Sequence, residues 1–128
     1  MNKGKQVLTS PKLSPPIGPF SHAVRAEGFI YLSGQVGQDP ATGKLVADDV
    51  ERQTEQIFRN LAAVLETADK SFDDVVRVGV YLTNMANFSA MNAIYGKHFR
   101  SPYPARTAIG VAALPLGAVI EIDLIVKA

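Results

Sequence analysis

The stretch of sequence that decides the fold is residues 118–126, Ala118-Val119-Ile120-Glu121-Ile122-Asp123-Leu124-Ile125-Val126. Side chains of a β-strand alternate between the two faces of a sheet, so this pattern predicts a strand with one apolar face. That face consists of Ile120, Ile122, Leu124 and Val126. Glu121 and Asp123 fall on the opposite face, and because unpaired carboxylates are costly to bury, they indicate a special use of that face.

On the N-terminal side of this strand, the chain divides into short apolar stretches separated by turn residues. β-Branched and alternating stretches predict further strands at 5–9, 22–27, 29–34, 75–82 and 106–112. Apolar residues at helical spacing predict a helix from Asp48 or Asp49 to about Ala68, and a second helix capped by Asn87 that ends near Phe99. The predicted order is therefore β-β-β-α-β-α-β-β.

This order predicts an α+β fold, in which a mixed, mainly antiparallel sheet has two helices on one face. Residues 1–128 have the length of a single domain. Two helices cannot cover both faces of such a sheet, and residues 75–82 and 118–126 are apolar on both sides in places. We therefore expect an oligomer whose sheets pack together, the alternative being a monomer with a partly solvated sheet.

The composition excludes several classes of function. Thirteen basic and 12 acidic residues give a formal net charge of +1, so there is no electrostatic reason to expect nucleic acid or a membrane as partner. Without cysteine, the chain has no disulfide, no thiolate zinc site and no cysteine nucleophile, which fits the cytoplasm. His22 and His98 are too few and too far apart in sequence to suggest a metal site, and nothing calls for a cofactor.

The strands at 106–112 and 119–125 are expected to pair as an antiparallel hairpin, which would place Gly110 opposite Glu121 and Ala108 opposite Asp123. Arg106 would then share a face with both acids. One interpretation is a polar pocket in which Arg106 binds a carboxylate in the plane of its guanidinium. The other is a structural ion pair that holds the hairpin together, and the residues alone leave both open.

Five stretches of sequence, in order along the chain, resemble the RidA/YjgF family. They are 17–23 (Ile-Gly-Pro-Phe-Ser-His-Ala), 29–35 (Phe-Ile-Tyr-Leu-Ser-Gly-Gln), 39–43 (Asp-Pro-Ala-Thr-Gly), 91–95 (Met-Asn-Ala-Ile-Tyr), and the segment 104–123 with its Pro-Ala-Arg-Thr and Ile-Glu-Ile-Asp blocks. Any one of these matches is weak by itself, whereas all five in the same order are a specific signal.

The resemblance implies a chorismate-mutase-like fold and a homotrimer with clefts between subunits. It also implies a hydrolase of the 2-iminobutanoate/2-iminopropanoate deaminase type, and the chemistry of that reaction requires no metal. Such an enzyme converts reactive enamines and imines, for example 2-aminoacrylate, into 2-keto acids and ammonia.

The same resemblance assigns roles to residues of this chain. Arg106 would bind the substrate carboxylate and Glu121 would position or activate the attacking water. Ser33 and Asn92 would line the cleft. The backbone around two further positions, Gly34 and Ala108, would supply hydrogen bonds.

Two positions depart from the family pattern. Phe20 stands where many members have tyrosine, and Ala108 stands where many have cysteine. Neither departure removes a group that imine hydrolysis requires, so they bear on substrate preference more than on the type of reaction.

A pathway-specific deaminase acting on an aminomuconate or an aminoacrylate is therefore one alternative. A non-catalytic binder of small carboxylates is a second, and a ribonuclease or translation inhibitor is a third, which the near-neutral charge disfavours.

Overall fold

The computed structural model describes residues 4–128, and over this range the predicted order of elements is confirmed. The elements are β1 (Gln6–Leu8), β2 (Ala23–Ala26), β3 (Phe29–Gln35), α1 (Val50–Glu66), β4 (Val75–Leu82), α2 (Phe88–His98), β5 (Ala105–Gly110) and β6 (Ile120–Lys127). The strands form one six-stranded sheet in the order β1-β2-β3-β6-β4-β5.

The sheet is mixed and mainly antiparallel, as predicted. Every pair of neighbouring strands is antiparallel except β4 and β5, which are parallel. A parallel pair requires a crossover connection, and α2 provides it between β4 and β5. The α+β class is confirmed.

The antiparallel hairpin predicted for the last two strands is wrong. β4 lies between β5 and β6, so that Ala108 pairs with Val80 and Gly110 with Leu82, and neither lies opposite an acid. The physical reason is the α2 crossover, which sets β5 beside β4 at the edge of the sheet. β6 instead takes a central position, where β3 and β4 hydrogen-bond to both of its sides.

The corrected pairing also changes which residues share a face. Arg106 pairs with Val78, whose side chain is fully buried beneath the helices. Glu121 pairs with Tyr81 on the opposite face of the sheet. The expectation that Arg106 shares a face with Glu121 and Asp123 is therefore wrong.

Both helices lie on the face of the sheet that carries the apolar side chains of β6, where the core lies; α1 packs on β6 and α2 packs against α1. Ile57 and Leu61 of α1 are fully buried in the same cluster as Ile120 and Ile122.

The predicted cap of α1 is confirmed, since the Asp49 carboxylate accepts a hydrogen bond from the amide of Arg52. The predicted cap of α2 is wrong. Asn87 makes no capping hydrogen bond, because a 3-10 turn over Met85–Asn87, capped by Asn84, precedes this helix.

No helix among residues 4–128 covers the other face of the sheet, which presents the exposed side chains of Phe29, Tyr31 and Ile109. Large apolar side chains exposed together on a sheet are typical of a surface that another molecule covers. In the part of the chain that is described, no helix is long and apolar enough to cross a membrane.

Candidate functional site

Arg106 lies on β5 with its side chain against α2. Its Nη1 donates a 2.6 Å hydrogen bond to Oδ1 of Asn92. The guanidinium carbon stands 4.6 Å from the centre of the Tyr95 ring and 5.4 Å from that of Phe88. The hydrogen bond to Asn92 and the two neighbouring aromatic rings restrict the direction of the guanidinium, which also interacts with the Tyr95 hydroxyl. A guanidinium has five N–H donors, so donors remain for a ligand.

A cleft of about 500 Å³ opens beside this guanidinium. Its lining consists of Asn92, Tyr95, Gly96, Tyr103, Pro104 and Arg106. None of these residues is acidic, and Arg106 forms no ion pair with any residue in the described range 4–128. The structural ion pair considered from the sequence is thus not formed within the chain, and the cleft presents an uncompensated positive charge.

Two neighbours complete this half of the site. Burial raises the pKa of the Tyr95 hydroxyl, against the opposing effect of Arg106, so Tyr95 is a neutral phenol near pH 7. Ala108 lies two residues beyond Arg106 on the same face of β5 and is partly buried against the core.

Glu121 lines a second cleft, of about 380 Å³, together with Phe20 and Gly34. This cleft lies between the proline-rich loop 13–22, the end of β3 and the turn that precedes β6. A Cβ atom at position 34 would collide with the Glu121 carboxylate, so only glycine lets that carboxylate approach the β3 backbone. The structure therefore brings Phe20, Gly34 and Glu121 together at one cleft.

The Glu121 carboxylate lies in an environment that disfavours its charge. Partial burial raises the pKa of Glu121, and the negative charge of Asp123 raises it further. No donor among residues 4–128 hydrogen-bonds to this carboxylate, whereas Asp123 accepts a 3.0 Å hydrogen bond from the Tyr81 hydroxyl. Glu121 is thus able to exchange a proton nearer to neutral pH than an ordinary carboxyl group, which suits acid–base chemistry.

Ser33 lies next to the Glu121 cleft but does not line it. Its hydroxyl donates a 2.6 Å hydrogen bond to the carbonyl oxygen of Ser21, and its amide donates to the carbonyl of His22 at 3.0 Å. Both groups therefore hold the loop that bears Phe20 against β3, and the single proton of the hydroxyl is used within the chain.

From its place between a loop and a strand, His22 is predicted to be a surface or capping residue. Its side chain is buried, and Nδ1 accepts a 3.1 Å hydrogen bond from the amide of Ser10. Nε2 must then hold the proton and donate to the carbonyl of Ser14 at 3.0 Å. The imidazole thus ties the end of the proline-rich loop to Ser10, just before the loop, and to Ser14, near its start. The only signal in the sequence is that such a loop needs side-chain hydrogen bonds to replace those of regular structure.

The candidate residues form two groups on opposite faces of the sheet. Arg106, Asn92 and Ala108 lie on the face that bears the helices, towards the β5 edge. Phe20, Gly34 and Glu121 lie together at the second cleft. Each group provides only part of the chemistry expected from the sequence. The first group provides a cation that can bind an anion, and the second provides a carboxyl group with a raised pKa.

Comparison with known proteins gives consistent matches over nearly the whole chain. A family model described as endoribonuclease L-PSP matches residues 11–128. The human 2-iminobutanoate/2-iminopropanoate deaminase is 40% identical over 121 residues, which cover 94% of this chain and 88% of the human one. Reactive Intermediate Deaminase A, chloroplastic, from Arabidopsis thaliana is 41% identical over 94% of this chain and 65% of its own length. A crystal structure of a conserved Rid family protein from Yersinia pestis superposes with a TM-score of 0.93 at 39% identity, covering 97% of this chain and 99% of that one.

Proposed function

The chain belongs to the RidA/YjgF family, whose model is described as endoribonuclease L-PSP, and we propose that it is a hydrolase that deaminates reactive 2-imino and 2-enamino acids. The products would be 2-keto acids and ammonia. The observation that supports this most directly is the uncompensated Arg106 guanidinium, held by Asn92 in a cleft without acidic residues. Relatives named as deaminases of this type are about 40% identical over most of the chain.

Arg106 would bind the carboxylate of the substrate. An imine of a 2-keto acid has this carboxylate next to the electrophilic carbon, so two parallel N–H donors fix the direction of the C=N bond. Asn92 and the rings of Tyr95 and Phe88 would hold the guanidinium in place before the substrate arrives. Much of this binding is the same for substrate and transition state, so its main effect is orientation.

Glu121 would serve the proton transfers. An enamine first accepts a proton from solvent at its terminal carbon, which gives the protonated imine. Water then adds to the imine carbon while one of its protons passes to the Glu121 carboxylate, which gives a neutral carbinolamine. That proton goes on to the nitrogen, and as the C–N bond breaks and ammonia leaves, the remaining hydroxyl proton passes back to the carboxylate and the C=O bond of the 2-keto acid forms. Acid–base assistance of this kind contributes about 10²–10⁴-fold.

One chain does not present Arg106 and Glu121 to the same small molecule, because they lie on opposite faces of its sheet. We therefore propose that one copy supplies Arg106, Asn92 and Ala108 and that a neighbouring copy supplies Phe20, Gly34 and Glu121. Ser33 would support the second group through the loop. A homotrimer of single-domain subunits with a cleft between each pair meets this requirement, and the exposed apolar face of the sheet is the surface available for packing.

The cytoplasmic location expected from the sequence stays a prediction, because a relative that is 41% identical is named as a chloroplastic protein. The absence of a metal or cofactor requirement also stays a prediction.

The test is a coupled assay in which an L-amino acid oxidase generates the imine and semicarbazide captures what escapes hydrolysis. The wild-type chain should lower the yield of semicarbazone, and Arg106→Ala should reduce kcat/KM by about a hundredfold or more. Arg59→Ala is the matched control, because Arg59 is exposed on α1 and, among residues 4–128, its side chain hydrogen-bonds only to Gln56. Saturable binding of 2-keto acids without turnover of any imine would favour the carboxylate binder instead.

A further inference from the structure

Three exposed apolar side chains border the Glu121 cleft. Ile17 is 91% exposed, Phe20 is 53% exposed and Leu116 is 59% exposed, and all three line this one cavity. Single apolar side chains are common on protein surfaces, but several around one concave site indicate that an apolar group binds there.

Leu116 has a backbone conformation that packing does not explain. It has φ 61° and ψ 13°, in the left-handed region, between Pro115 and Gly117. This region is unfavourable for a residue with a bulky side chain, and glycine or asparagine usually occupies it. The turn nevertheless places a largely exposed leucine here, beside the cleft, so the side chain itself is a candidate for a role in binding.

Several polar side chains in the wall of the cleft are occupied by bonds inside the chain, whereas the side-chain amide of Gln35, which also lines it, has no such bond to any of residues 4–128. Ser14 donates to the carbonyl of Pro40, His22 is bonded through both nitrogens, and Asn60 donates to the carbonyl of Gln38. Glu121 has no such partner among the described residues. A ligand in this cleft would therefore meet the Glu121 carboxyl group, the Gln35 amide and an apolar border.

We propose that this chain prefers imines derived from amino acids with large apolar side chains, of leucine or phenylalanine size, and that Ile17, Phe20 and Leu116 contact that side chain. The inference rests on the proposed function. The methyl group of 2-iminopropanoate would leave most of this apolar border in water. A larger side chain would remove both apolar surfaces from water in a cleft of about 380 Å³.

The experiment measures kcat/KM for imines generated in situ from L-alanine, L-leucine and L-phenylalanine. The leucine-derived and phenylalanine-derived imines should exceed the alanine-derived imine by about tenfold or more. Leu116→Ala and Ile17→Ala should each lower this ratio by about tenfold, because each removes apolar contact that only the larger substrates make. Leu116→Met, which keeps an apolar side chain of similar length, should restore most of the ratio.

Val7→Ala is the control, since Val7 is an exposed aliphatic residue on β1 that does not line the cleft. This variant should leave the substrate ratio unchanged. Equal or faster turnover of the alanine-derived imine by the wild type would overturn the proposed preference while leaving the proposed function intact, as would variants that slow all substrates alike. Failure to turn over any imine would reject the proposed function, and the preference with it.

Discussion

Arg106 and Glu121 project from opposite faces of one sheet, and strand β4 separates the two strands that bear them. Each residue lines its own cleft, one formed with α2 and the other formed with the proline-rich loop. A substrate with only a few carbon atoms cannot reach from one cleft to the other through the sheet. A site that uses both residues must therefore be assembled from two copies of the chain.

Complementation between inactive variants follows from this arrangement. Arg106→Ala and Glu121→Gln should each be inactive alone, because every site in either assembly lacks one of the two groups. Mixed assemblies made by co-expression should regain about a quarter of the wild-type activity, since random association gives that fraction of interfaces two intact residues. The measurement is imine hydrolysis by co-purified chains that bear different affinity tags.

The double variant, with both substitutions in one chain, is the control for this experiment. Co-expressed with either single variant, it forms no interface with both residues intact, so any activity of that mixture comes from a contaminating enzyme. If co-expressed single variants show no more activity than the variants alone, the two residues do not act across an interface, and the proposed shared site is wrong.

Asn92 determines how the guanidinium of Arg106 points, through their 2.6 Å hydrogen bond. Asn92→Ala removes this contact and should raise KM by about tenfold, with a smaller effect on kcat, because one charge-assisted hydrogen bond is lost. Asn92→Asp is nearly isosteric but places a carboxylate against Arg106, so it should compete with the substrate and cause a larger loss. Steady-state kinetics on one imine checks this order, and an Asn92→Asp variant at least as active as Asn92→Ala would contradict it.

Much of the fold could be predicted from local patterns. Alternation in residues 118–126 gave the correct faces of β6, and the acid before α1 gave the correct cap at Asp49. The face on which a strand side chain lies and the residue that caps a helix depend on neighbouring residues in the sequence, so both can be predicted from one sequence. The strand with which a given strand pairs depends on contacts between residues far apart in the sequence. The apolar face of β6 would be buried equally well whether β5 paired with β6 or with β4. The parallel pairing of β5 with β4 was therefore not visible.

In the candidate site, too, the residue types could be predicted from the sequence, whereas the contacts between distant residues could not. Arg106 and Glu121 are distinctive as residue types, and the resemblance indicated both. Their surroundings were not accessible from the sequence. The aromatic support of Arg106, the use of the Ser33 hydroxyl by Ser21, and the burial of His22 all arise from tertiary contacts.

The pH dependence of activity should report on Asp123. As general base Glu121 acts in its deprotonated form, so kcat/KM should fall as the pH drops through the Glu121 pKa of the free enzyme. Because burial and the charge of Asp123 both raise this pKa, the fall should begin at a higher pH than for an ordinary carboxyl group. Asp123→Asn removes the negative charge but keeps an oxygen that can accept from the Tyr81 hydroxyl, so it should move the acid limb to lower pH.

Asp73→Asn is the control for the pH profile, since Asp73 is paired with Arg100 on another surface and does not line the Glu121 cleft. It should leave the acid limb in place. An acid limb that does not move in Asp123→Asn, or that moves upwards, would show that the charge of Asp123 does not act on the group that titrates.

His22 should contribute to stability through its two hydrogen bonds to the backbone of the proline-rich loop. His22→Ala leaves the buried amide of Ser10 and the carbonyl of Ser14 without these partners, and should lower the free energy of unfolding by about 2–4 kcal/mol. Urea unfolding at fixed protein concentration measures this, with Lys44→Ala, an exposed residue of a turn, as the control. A change below about 0.5 kcal/mol would mean that His22 does not hold the loop.

Leu116 offers a test that separates stability from substrate choice. Leu116→Gly removes the cost of a side chain at φ 61°, whereas Leu116→Ala shortens the side chain but keeps a Cβ atom in the left-handed region. We therefore expect Leu116→Gly to be more stable than Leu116→Ala by about 1 kcal/mol, the reverse of the usual order for these residues in regular structure. Both variants should lose preference for the larger imines, because both lack the isobutyl group. Thermal unfolding and the substrate ratio, measured on the same samples, check the two effects independently. An alanine variant as stable as the glycine variant would mean that the conformation of residue 116 imposes no strain, and the leucine would then need no functional explanation.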